Sequence, residues 1–142
     1  MGGCAQDPKT THKRPKWRIA LLEAKSSLLW LNAEFNHLKT CFKLYDNNPS
    51  FGKFEIHRVC EEMINACHKC RNEEFRLILE DELINVLMPL GIEAKRRGKT
   101  DWAIDMLGEL DKRMKVARKR LKELSHIVRH NQYTQRDRNN WS

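Results

Sequence analysis

The chain has 142 residues, 40% of them apolar and 32% charged, and carries a formal net charge of +8. That length supports one domain with a modest core rather than two, and the balance is that of a folded chain, not a disordered one. No run of about 18 apolar residues occurs, so no membrane span is expected, and 6 Gly with 4 Pro punctuate too sparsely for a many-stranded fold.

Residues 1–14 are polar and basic without periodicity and read as a flexible arm. Met1-Gly2-Gly3-Cys4 lacks the basic-then-apolar layout of a signal peptide. Gln6, followed by Asp7, stands where acylation of Gly2 would favour Ser or Thr. The five cysteines are an odd number, which suits a reducing compartment; the expectation is cytoplasm or nucleus, not secretion.

Pro15 suits the first turn of a helix. From Trp17 through Leu21, Ala24, Leu28, Leu31, Phe35, Leu38, Phe42 and Tyr45, apolar residues alternate at spacings of four and three, an unbroken heptad seam. Ile19, Leu22, Leu29 and Trp30 widen the stripe beyond a two-stranded coiled coil, as in a bundle. Asp46-Asn47-Asn48-Pro49-Ser50 ends this helix.

A second helix is expected from about Lys53, with Ile56, Cys60, Met63, Cys67 and Cys70 on its seam. Asn72, followed by Glu73 and Glu74, reads as the N-cap of a third helix running through Phe75, Leu79, Leu83 and Leu87, which Pro89 should bend or end early. Thr100 caps the last helix. Its seam, Ala103, Leu107, Leu110, Met114, Ala117, Leu121, Leu124 and Val128, is again unbroken, and the pattern fades near His130. The expected fold is therefore all-α: an antiparallel bundle of about four helices over residues 15–130, with a flexible polar tail over 131–142. Regular seams in so short a chain often complete their packing by pairing, so a homodimer is expected.

Charge is segregated along the chain. Residues 112–142 hold ten basic and two acidic side chains, so this segment carries the whole net charge of +8 while the rest sums to zero. Seven of the cations, Lys112, Arg113, Lys115, Arg118, Lys119, Arg120 and Lys122, fall within eleven residues, about 15 Å of helix, and Arg129 follows two turns on. Helix-dipole complementarity needs only two or three cations near a C-terminus, and like charges at these spacings repel. A polyanion relieves that repulsion with release of counterions. Nucleic acid is the expected partner, RNA favoured over DNA, with Arg96 and Arg97 assisting. Tyr133 and Trp141 in the tail offer bases to stack on, although tail aromatics more often do nothing special. Such a protein suits an accessory role, for example viral RNA sequestration or silencing suppression, with a host protein as a further partner. The rival reading is a protein-interaction adaptor whose basic stretch serves nuclear import. Leu29 and Trp30 exposed in one patch favour the adaptor, and the same residues buried count against it.

His37 and Cys41 at i,i+4, with Cys67 and Cys70, could supply four zinc ligands from two facing helices. The blander reading is stronger, because the cysteines fall on an apolar seam where they act as small hydrophobes; no metal or other cofactor is expected. Glu80-Asp81-Glu82 reads as a solvated face. Nothing localises a nucleophile with its base, and no phosphate-binding Gly-rich loop occurs, so no catalysis is expected.

Overall fold

A computed structural model describes the backbone of residues 15–47, 49–97 and 101–141, and the side chains of 15–44, 53–94 and 103–132. All regular structure among them is helical: α1 (Lys16–Asn47), α2 (Pro49–Lys69), α3 (Glu73–Leu79), a π-helical turn (Glu80–Ile84), α4 (Asn85–Arg97) and α5 (Asp101–Trp141). Because the π turn joins α3 to α4 without a break, residues 73–97 act as one rod, and four rods make the bundle.

Helix starts follow local chemistry. The Pro15 carbonyl accepts from the N–H of Arg18 at 3.0 Å and of Ile19 at 3.2 Å, so this proline precedes α1 instead of lying in its first turn. Pro49, expected only to end α1, opens α2 four residues earlier than Lys53; a ring that cannot continue a helix is well suited to begin one. Asn72 caps α3 as expected, its Oδ1 accepting from Phe75 N–H at 2.9 Å. Its Nδ2 also donates to the Ala20 carbonyl at 2.8 Å, which ties the start of α3 to the start of α1.

Pro89 neither ends the third rod nor stands alone in it. Helix continues to Arg97, and the adjustment lies upstream, in the wide π turn that finishes at Ile84. Asn85, whose carbonyl the proline ring would crowd, has ψ −17°, flatter than an ordinary α-helix.

The heptad seams form the core. Leu31 and Leu38 of α1, Ile56 and Met63 of α2, Phe75 and Leu79 of α3, Leu87 and Leu90 of α4, and Leu110 and Met114 of α5 are all fully enclosed. Helices α1 and α2 run antiparallel, as do α2 and the third rod. In the latter pair Gly91 lets α4 approach closely, since a Cβ there would stand 3.1 Å from that of Cys60. Helix α5 packs along α1, α4 and the π turn. It continues to Trp141 instead of fading near His130. Loss of the apolar repeat removes packing but not helicity, and no Gly or Pro follows Gly108 to break the rod.

Candidate nucleic-acid interface

Ala103, Leu110, Met114, Ala117 and Leu121 lock α5 into the bundle by one face, and that rotation divides its cations into two sets. Arg113 and Arg120, seven residues apart, share the flank that overlooks the π turn. Glu82 waits there, only 7% exposed. Arg113 Nη1 lies 3.1 Å from Glu82 Oε1, and Arg120 Nη1 lies 2.8 Å from Oε2 and 3.0 Å from Asp81 Oδ2. Arg113 also meets Glu109 at 3.0 Å. Hydrogen bonding to Glu82 is the main reason both guanidinium groups bind their protons more tightly than usual. A solvated face was expected of Glu80-Asp81-Glu82; instead the wide turn carries Glu82 inward, where two arginines neutralise it.

The outer set is different. Lys112, Lys119, Lys122 and Arg129 are exposed and make no ion pair with the described residues. From Lys112 to Arg129 they extend over about 26 Å of helix. Lys115 lies among them, paired along the helix to Asp111 at 3.0 Å and 66% exposed, a contact of little energetic weight. Arg118 faces α1 and donates to Asn32 Oδ1 at 3.4 Å.

Between α5 and α1 lies an open groove of about 440 Å³, lined by Lys25, Arg118, Leu121, Lys122, Ser125, His126 and Arg129. It holds four cations and no carboxylate. Lys25 comes from α1, more than ninety residues away in sequence, and was not among the residues expected to bind. Only the pairing of the two helices reveals it. Arg96 and Arg97, together with Tyr133 and Trp141, have side chains outside the described residues.

The zinc set allowed by spacing does not assemble. His37 and Cys41 converge with Glu55 of α2, whereas Cys67 and Cys70 lie toward the far end of that helix, about 18 Å from Glu55 along the axis in the case of Cys67. Cys60 and Cys67 behave as core residues, with burial pushing both thiols up to about 12. No helix of the described residues is long and apolar enough to cross a membrane. Comparison of the chain with protein-family models, with curated proteins and with solved structures gave no match.

Proposed function

We propose that this protein binds RNA through the outer face of α5 and the adjoining basic groove, engaging backbone charge and shape rather than base sequence. One observation carries the reading: Lys112, Lys119, Lys122 and Arg129 keep no acidic partner among the described residues, while Arg113 and Arg120 on the opposite flank are neutralised within the fold. A rigid helix holds the outer charges at spacings comparable to those of phosphates, so several counterions are released in one binding event. The groove suits a single phosphate held by Lys25, Arg118, Lys122 and Arg129.

The test is binding of labelled single-stranded RNA, duplex RNA and duplex DNA of equal length across a salt series. The wild-type chain should prefer an RNA form, with a steep salt slope that Lys119→Gln/Lys122→Gln/Arg129→Gln reduces. Absence of binding at about 50 mM salt, or an unchanged slope in the variant, overturns the reading.

The rival reading, a protein-interaction surface, has its own observation. Leu29 is 69% and Trp30 43% exposed, and both lie with Ile19 and Leu22 on the outer face of α1. Arg18 and Lys25 border this face on one side, Glu23 and Glu34 on the other. Flanks of opposite sign suit a second copy of the chain lying parallel, where basic flank meets acidic flank. Sedimentation would show a dimer that Leu29→Lys/Trp30→Lys converts to monomer; a wild-type monomer at about 100 μM, near the weak end of specific association, removes this reading.

A further inference from the structure

The charges of α5 leave one cluster of the molecule unused, at the other end of the α1–α2 pair. A ring nitrogen of His37, Sγ of Cys41 and a carboxylate oxygen of Glu55 lie within 4.8 Å of one another. We propose that these three side chains form a zinc site that clips α1 to the start of α2.

The donor types fit the ion. Thiolate, imidazole and carboxylate are the three zinc ligands proteins use; a tetrahedral ion holds its donors about 3.3–3.7 Å apart, inside the 4.8 Å within which these lie, a closure that side-chain rotation supplies. His37 and Cys41 at i,i+4 project from one face of α1, and Glu55 reaches them from the facing helix, its Oε1 3.5 Å from His37 Nε2. The fourth position is left to water on the side of exposed His37.

The surroundings also suit a ligating carboxylate. Arg58 donates to both oxygens of Glu55, with Nε 3.2 Å from Oε2, which orients the group without using all its lone pairs. Arg58 is in turn balanced by Glu62 at 2.5 Å. A divalent ion with the Cys41 thiolate and the Glu55 carboxylate is therefore neutral overall, in a setting already balanced. On binding, the Cys41 S–H proton passes to solvent as the S–Zn bond forms and a water leaves the ion.

Cobalt(II) and zinc(II) titrations of the full reduced chain test the proposal. Cobalt should give near-ultraviolet thiolate-to-metal absorption with tetrahedral visible bands, and zinc should displace it. Cys41→Ser should abolish the absorption, while Cys67→Ser/Cys70→Ser should leave it unchanged. His37→Ala, at an exposed position that spares the core, and Glu55→Gln should each weaken binding by about tenfold or more. Absence of thiolate absorption overturns the site, as does its survival in Cys41→Ser. If that variant does not fold, an unchanged affinity in His37→Ala overturns it equally.

Discussion

Arg113 and Arg120 stand on one flank of α5, and Lys112, Lys119, Lys122 and Arg129 stand on the outer face of the same helix. Along the sequence the two sets are interleaved within a single basic run. In space the first set closes over Glu82 and Asp81, and the second finds no acidic partner among the described residues. The difference lies not in the cations but in what the neighbouring rod presents to them. Charge density along a helix therefore overstates the charge available to a partner, and the facing acids must be subtracted first.

The sharpest way to break this comparison is to reverse the outer set. Lys112→Glu/Lys119→Glu/Lys122→Glu/Arg129→Glu should lower RNA affinity by more than about a hundredfold near 100 mM salt, since four phosphate contacts become repulsive. Thermal unfolding should move little, because exposed unpaired charges contribute little to the fold. On the inner flank the expected effects are reversed. Glu82→Gln leaves a buried amide facing two guanidinium groups and should cost about 1–2 kcal/mol of unfolding free energy in a denaturant titration, with RNA binding unchanged or slightly stronger. The loss is moderated because both arginines can turn to solvent.

Lys25→Ala probes whether the groove belongs with the outer face. It should weaken RNA binding several-fold and lower the magnitude of the salt slope by about 0.7, one single-stranded phosphate contact. An unchanged slope would confine recognition to α5 alone. The smallest effect is expected for Arg113→Gln/Arg120→Gln, whose RNA affinity should stay within about twofold of wild type.

How far these features were legible depends on how local their causes are. The seams of α1 and α5 and the cap at Asn72 needed only spacing and side-chain chemistry, so the all-α bundle could be read directly. The π turn could not, because it answers a clash between Pro89 and the turn before it, and burial of Glu82 follows from that turn. Lys25 and Glu55 were missed for a different reason. Each joins its cluster through the register of two packed helices, and the register of α1 on α2 depends on where the turn between them falls. Reading Pro49 as a terminator delayed the expected start of α2 by four residues. Two of the three members of the candidate metal cluster, His37 and Cys41, lay within one helix and were visible. Its third member came from across the turn.

The most direct measurement is the salt dependence of RNA binding for three chains side by side: wild type, the outer-face variant Lys119→Gln/Lys122→Gln/Arg129→Gln, and the inner-flank variant Arg113→Gln/Arg120→Gln. The outer-face variant should lose about two units of slope and the inner-flank variant almost none. Equal losses, or a larger loss from the inner flank, would contradict the division of α5 into a spent flank and an available face.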